Sequence, residues 1–356
     1  LKPFVLKCLA AKRVATGFEP RWSWAMSAEE SFHIAADGAK IFVLTWRPAA
    51  EPKAVVHIHH GLGEHCERYG GFASKLNAAG FLVVAHDARG HGRTSSAEGS
   101  PGLGIIACGA EGPVGRWVMD WTELICKTHA AHPGLPMCLF GHSFGSVVAQ
   151  LCVGGGAGGV PIRGVILCAP PARLPPVIKS VFKVVLGALH KVNGDRGLSK
   201  IPGKLTFDQF QAKLMKEGRH EGPVTGWEWL NRDEAEVVKY VEDPFCGHEI
   251  CVGFWVTVPA VYDSLARKET YAKMPASLPI CVFAGTSDYC AVNDLGKWSH
   301  QSIRDEYAIA GKAVPKIVLY PHARHEILLE TNKDEVMDDM LRFLLASSEG
   351  NGASKL

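Results

Sequence analysis

The segment LFGHSFGS, residues 139–146, leaves this chain less freedom than any other. An apolar run, MCLF, enters it and a helix-compatible run, VVAQLCV, leaves it. Ser143 between Gly141 and Gly145 predicts a sharp strand-to-helix turn. In such a turn the serine takes a strained backbone, and the flanking segments come too close for side chains at the two glycines. Gly and Ser are common residues, so the bare pattern has little weight. The strand signal before it and the helix signal after it supply the rest.

The remaining elements fall in a consistent order. SFHIAAD and KIFVLTWRP, joined by Asp37-Gly38, predict an antiparallel hairpin. AVVHIHH predicts a buried strand, ERYGGFASKLNAAG a helix ended by Gly80, and FLVVAHD the next strand. This alternation implies a mostly parallel sheet. PVGRWVMDWTELICKTHAAHP reads as a long amphipathic helix started at Pro113 and stopped by Pro133, with MCLFGHS and PIRGVILCAP as the strands that follow. From Pro170 to about Gly247 the pattern breaks into basic amphipathic stretches, prolines and aromatics with no buried-strand signature, and an inserted helical cap is expected there. The sheet resumes with a helix ending near Lys268, strand PICVFAG, a helix around KWSHQSIRDEYAIAG, strand KIVLYP and a closing helix in DEVMDDMLRFLLAS. The expected organisation is an N-terminal extension at 1–28, core at 29–169, cap at 170–247, core again at 248–347, and a flexible tail at 348–356 with too little apolar surface to pack. A chain of 356 residues fills one large core with an insertion more readily than two independent domains.

Composition narrows the function classes. A formal net charge of +2 with 21% charged residues and no long Lys/Arg run lacks the footprint of a nucleic-acid binder, so no nucleic-acid partner is expected. Eleven cysteines, with Cys138, Cys168 and Cys281 inside apolar runs, read as reduced core residues of an intracellular protein. Cys246 and Cys251 with His248 have no second cluster behind them, and no structural zinc or other metal is expected. No apolar run reaches the roughly 18 residues of a membrane-spanning helix. The opening LKPFVLKCLAAKRVATGF is basic and without acidic residues, compatible with an organelle-targeting remnant, a membrane-surface helix or a packed arm. The expected location is cytoplasmic or organellar, mitochondria included, with peripheral membrane contact as one alternative.

An attacking serine needs a base to take its proton and an acid to hold that base's tautomer. On a fold of this element order they follow as serine, carboxylate, histidine, each after a strand. Asp288 in VFAGTSDYC and His325 in VLYPHARHEIL fit both order and position. His322 is the rival base, disfavoured because it follows Pro321 directly. Asp294 is the rival acid, disfavoured because it sits farther along. Gly285 fits a tight turn ahead of the acid. A developing oxyanion needs backbone N–H donors; Phe144, following the serine at a helix start, and Leu62 in HHGLGEH are assigned that role. His60 reads as a ring that holds the glycine loop in shape, and Asp87, Arg89 and His91 as residues that tie neighbouring loops together. Cys290, beside the acid, reads as a buried thiol.

HHGLGEHCERYGGFASKLNAAGFLVVAHDARGHGRTS, GHSFGS, PICVFAGTSDYCAV and YPHARHEILLETNKDEVMDDMLRFL together resemble the monoacylglycerol lipase and lysophospholipase group of α/β hydrolases, within a serine aminopeptidase-like hydrolase domain. The resemblance spans about 29–347 apart from the cap. It implies an α/β-hydrolase fold with a mostly parallel sheet of about eight strands flanked by helices, and it puts the group's nucleophile on Ser143, its acid on Asp288, its base on His325 and its oxyanion donors on Leu62 and Phe144. It further implies hydrolysis of an ester joining one fatty acyl chain to glycerol or a glycerophospho headgroup, without cofactor, under a cap that opens on an apolar tunnel and can touch membranes. LPPVIKSVFKVVLGALHKV, with Lys179, Lys183 and Lys191, suits either a lipid surface or packing over the core. The same residues would serve a thioesterase, a small-ester carboxylesterase or an aminopeptidase whose amine anchor comes from EWLNRDEAE. An accessory subunit of a larger assembly that retains the fold is the reading from another class.

Overall fold

The computed structural model describes residues 28–293 and 295–350. Eight strands form one sheet: β1 (Glu29–Ile34), β2 (Lys40–Trp46), β3 (Ala54–His59), β4 (Phe81–His86), β5 (Met137–His142), β6 (Ile162–Cys168), β7 (Ile280–Gly285) and β8 (Lys316–Tyr320). Their spatial order is β1-β2-β4-β3-β5-β6-β7-β8. The first two strands pair antiparallel, as does β2 with β4, and the rest of the sheet is parallel. β3, β4, β5 and β7 are buried at every position, which is why they read as continuous apolar runs rather than as alternating ones.

Among the described residues, ten α-helices accompany the sheet: α1 (Gly70–Ala78), α2 (Gly112–Ala131), α3 (Phe144–Gly154), α4 (Pro176–Asn193), α5 (Lys200–Gly203), α6 (Gln209–Lys216), α7 (Glu234–Glu242), α8 (Val252–Leu265), α9 (Ser299–Ile309) and α10 (Lys333–Ser348). One face of the sheet is covered by α1 and α10, through Phe72, Leu76, Met340 and Phe343. The other carries α2, α3, α8 and α9, through Trp121, Val148, Phe254 and Ile303. α4 to α7 lie between β6 and β7 and make the inserted helical region, with a small apolar core of Phe210, Leu214, Trp229, Leu230, Tyr240 and Tyr289. ICVGFWVTVPAVY lies almost wholly in α8, which accepts Pro259 in its interior and packs over α2 and α4. Among the described residues, no helix is long and apolar enough to cross a membrane. α10 runs to Ser348, with Ser347 buried, so the closing helix passes the expected start of the tail. Residues 1–27 of the expected N-terminal extension, residues 351–356 of the expected tail, and Asp294 lie outside the described residues.

Candidate active site

Ser143 stands between β5 and α3 with φ 49° and ψ −122°, a left-handed conformation that non-glycine residues seldom adopt. The turn closes because its neighbours lack side chains. A Cβ on Gly141 would fall 2.3 Å from the Gly145 carbonyl oxygen, and one on Gly145 would fall 2.4 Å from the His59 carbonyl oxygen. The glycine spacing in the motif is thus the space taken by two backbone approaches.

His325 Nε2 lies 2.9 Å from Ser143 Oγ, and His325 Nδ1 lies 2.9 Å from Asp288 Oδ2. Asp288 is buried, and its other oxygen accepts from the Cys290 backbone N–H at 2.9 Å. One carboxylate oxygen is therefore held by backbone while the other faces the imidazole, which fixes the proton on Nδ1 and turns Nε2 toward the serine. Ser143, Asp288 and His325, the three residues expected to act together, are brought together. His322 is exposed at φ 62°, its backbone N–H donating to Thr286 Oγ1, and is remote from this contact. Gly285 is required by a close approach rather than by a turn: a Cβ there would sit 2.0 Å from the Ala323 carbonyl oxygen, where the histidine loop crosses β7.

Leu62 and Phe144 line one cavity together with Ser143. Phe144 opens α3, where the first N–H groups have no partner inside the helix. His60 behaves as read, with its Nδ1 against the Gly61 carbonyl at 2.6 Å and its Nε2 accepting from the Ala88 N–H at 2.9 Å. His91 Nε2 accepts from the Gly63 N–H, Asp87 accepts from the backbone N–H of Cys66 and Arg93, and Arg89 bridges Asp37 and Asp120.

A buried charge network beneath the loop is absent from the sequence reading. Glu64 Oε1 accepts from the Gly61 N–H at 2.7 Å, the Tyr69 hydroxyl at 2.9 Å and His142 Nδ1 at 2.7 Å. Its other oxygen accepts from Arg68, which also makes a two-pronged contact with Glu326. Burial acts to raise the Glu64 pKa, yet His142 and Arg68 hold it well below the usual carboxylate value. Burial likewise acts to lower the His142 pKa, and Glu64 turns that into a net rise. The one signal along the chain was a histidine directly before the elbow serine and a glutamate at the end of the glycine loop. A second unanticipated contribution comes from the inserted helices: the Trp229 ring lies 5.3 Å from that of His325, and Arg324 donates to the carbonyls of Arg219, Glu228 and Asn231.

Ser143 borders two spaces. A mostly apolar cavity of about 130 Å³ runs past Phe144, Ile178, Phe182, Phe210 and Trp255, and a smaller space of about 30 Å³ with mixed walls is bounded by Glu64, His142 and His325 together with Leu62, Trp229 and Leu230. Cys290 is only partly buried and lines both, which corrects its expected place in the core; burial and Asp288 raise its thiol pKa well above the usual value, so it rests as a thiol. Cys138, Cys168 and Cys281 are buried and free, as read. Cys251 is buried in the main core, while Cys246 lies beside His65 and Asp243.

Residues 50–332 match the family model described as serine aminopeptidase, S33. A monoacylglycerol lipase of Mycolicibacterium smegmatis is 35% identical over 322 residues, 90% of this chain and 97% of its own. A monoglyceride lipase homolog of monkeypox virus is 26% identical, covering 86% of this chain and 93% of its own. Among solved structures, a thermostable carboxyl esterase from Bacillus coagulans in complex with glycerol superposes with a TM-score of 0.75 at 26% identity, over 91% of this chain and 99% of its own.

Proposed function

We propose, for a chain that belongs to the S33 serine aminopeptidase family of α/β hydrolases and is an enzyme of the serine esterase and lipase class, that its substrate is an ester of one fatty acyl chain with a small polyol headgroup, as in a monoacylglycerol or lysophospholipid. The observation that carries this reading is the apolar cavity that opens beside Ser143, next to a second, smaller space where Glu64, His142 and His325 stand among aromatic side chains. An acyl chain suits the first space, which leaves the second for the alcohol side of the ester. The curated relatives named for monoglyceride hydrolysis support the same choice.

In this mechanism His325 Nε2 takes the Ser143 proton as Oγ attacks the ester carbonyl. The Leu62 and Phe144 N–H groups receive the oxyanion, and Asp288 stabilises the imidazolium. His325 then protonates the leaving alcohol, and water, activated by the same ring, releases the fatty acid. A peptidase would need a carboxylate to hold the substrate's free amine. Of the acidic groups expected to supply it, Glu228 accepts from Thr225 and Gly226, Asp233 caps α7 and Glu236 pairs with Lys239 through one oxygen. Glu64 and Glu326, which bound the smaller space, are taken up by Arg68 and His142. These engagements favour an ester over a peptide.

The test is intact-mass spectrometry after fluorophosphonate treatment, followed by hydrolysis of a series of monoacylglycerols, lysophospholipids, acyl thioesters and amino-acid amides. A single adduct that Ser143→Ala abolishes, with monoacyl esters turned over fastest, is the expected result. Preferred turnover of amides overturns the substrate assignment. No adduct on folded protein overturns the enzyme mechanism.

A further inference from the structure

His65, Asp243 and Cys246 are the only set of three or more His, Cys, Asp or Glu side chains among the described residues whose ligand atoms converge on one point, all within 4.8 Å of one another. His65 follows the glycine loop that carries Leu62. Asp243 and Cys246 lie just after α7, in a turn closed by the Cys246 N–H donating to the Asp243 carbonyl at 3.1 Å. Asp243 Oδ1 accepts from the Phe245 N–H at 2.9 Å, leaving Oδ2 directed at His65 Nε2, 2.9 Å away. The turn thereby sets a carboxylate and a sulfur on the same side, facing a ring nitrogen that comes from 178 residues earlier.

From these contacts we propose that His65, Asp243 and Cys246 form a zinc-binding site that ties the glycine loop to the inserted helices. The donor set of one imidazole, one carboxylate and one thiolate suits a borderline cation such as Zn²⁺ rather than Mg²⁺ or Ca²⁺, which take oxygen ligands. Zinc bonds of roughly 2.0–2.3 Å put tetrahedral ligands about 3.3–3.8 Å apart, so the group needs to close by about 1 Å at its widest. Glu67 Oε2 lies 4.0 Å from His65 Nδ1, on the far side of the ring from Asp243. A carboxylate on that side orients a metal-bound histidine by accepting its other N–H, which Glu67 reaches once it closes by about 1 Å. On binding, the cation replaces the Nε2 proton of His65 and the thiol proton of Cys246, both released to water. Water completes the fourth position.

The hydrogen-bonded His65–Asp243 pair has an ordinary explanation as a loop tie, but that role needs no sulfur and no carboxylate on the opposite ring nitrogen. The same junction is already stitched by the Gly247 N–H and the Tyr240 hydroxyl, which both donate to the Gly63 carbonyl, at 2.9 and 3.0 Å. A cation there adds a third link between the loop bearing Leu62 and the segment over the site. Its position away from Ser143 makes it independent of which ester is cleaved.

The experiment uses the full chain, stripped with chelator and titrated with Zn²⁺ or Co²⁺ alone. One equivalent of zinc by elemental analysis, a thiolate-to-cobalt charge-transfer band, and a melting temperature raised by about 2–4 °C are expected. Cys246→Ser should abolish the charge-transfer band, and Cys246→Ser and Asp243→Asn should each weaken zinc binding at least about tenfold. The charge-transfer band in the unmutated chain decides the matter even where a variant fails to fold. Zinc bound without that band, or with undiminished affinity in a folded Cys246→Ser protein, overturns the site, as does failure to bind either metal.

Discussion

Glu64 carries more of the site than its place in the loop suggests. It holds the Gly61 N–H, the Tyr69 hydroxyl, His142 and Arg68 at once, so the glycine loop, the elbow and the turn that leads into α1 share one buried anion. Replacing it by Gln keeps the shape but removes the charge that keeps the His142 ring protonated to higher pH. Glu64→Gln should lower the His142 pKa in an NMR titration and reduce kcat by about 10–100-fold through a loosened Leu62 N–H. An unchanged His142 titration would show that Glu64 is not its charge partner. Gly145→Ala is a second sharp test. The added methyl would meet two carbonyl oxygens, those of His59 and His60, at 2.4 and 2.5 Å. Backbone atoms give way poorly, so a loss of about 3 kcal/mol or more in urea unfolding is expected.

Among the elements, α4 has a sequence that suits a lipid surface and packing over the core alike. Its Lys179 and Lys183 both reach Asp263 of α8, at 2.5 and 3.7 Å, so these charges serve the packing. The valines are what faces outward: Val177, Val181 and Val184 are 74%, 58% and 75% exposed. Ile178 and Phe182 of the same helix line the apolar cavity, so the exposed stripe continues into the space beside Ser143. If this helix meets a lipid surface, burying those side chains contributes roughly 1–2 kcal/mol each. The double variant Val177→Asp/Val184→Asp should then lose about tenfold or more in hydrolysis of substrate presented in vesicles while keeping its rate on a soluble short-chain ester. Equal loss on both would place the effect on folding, and no loss on either would remove α4 from substrate delivery.

Across the whole molecule, buried histidines of β3 and of the segment before α8 make stability depend on pH. His57 is fully buried, with neither ring nitrogen hydrogen-bonded, and burial pushes its pKa down to about 3. Burial does the same to His59, again to about 3, and takes His248 to about 4. For these rings the unfolded chain binds protons below the ordinary value of 6.5 while the folded chain does not. Their contribution is therefore present above that pH and is progressively lost as the pH falls toward 3 to 4. A single ring of this kind forfeits roughly 2–3 kcal/mol by two pH units below its unfolded pKa. Denaturation midpoints measured from pH 7.5 to 4.5 should fall steeply, and His57→Leu should flatten the slope. A variant with the wild-type slope would assign the acid sensitivity to other groups.

Order along the chain and local periodicity were enough to read the eight strands and the inserted helices, and to single out Ser143, Asp288 and His325, which the structure brings into hydrogen-bond contact. Each of these calls for only a short stretch: an apolar run, a glycine turn, a polar residue just after a strand. What folding alone assembled are the contacts between distant segments. Glu64 meets His142 across 78 positions, Arg68 meets Glu326 across 258, and Trp229 of the inserted region comes to lie against His325. The same holds for Cys246, which the linear spacing paired with Cys251 and His248, whereas the turn after α7 aims it at His65. A sequence states which side chains exist and how often the chain turns; which of them meet depends on how the helices pack over the sheet, and that is set by the shape of the whole core.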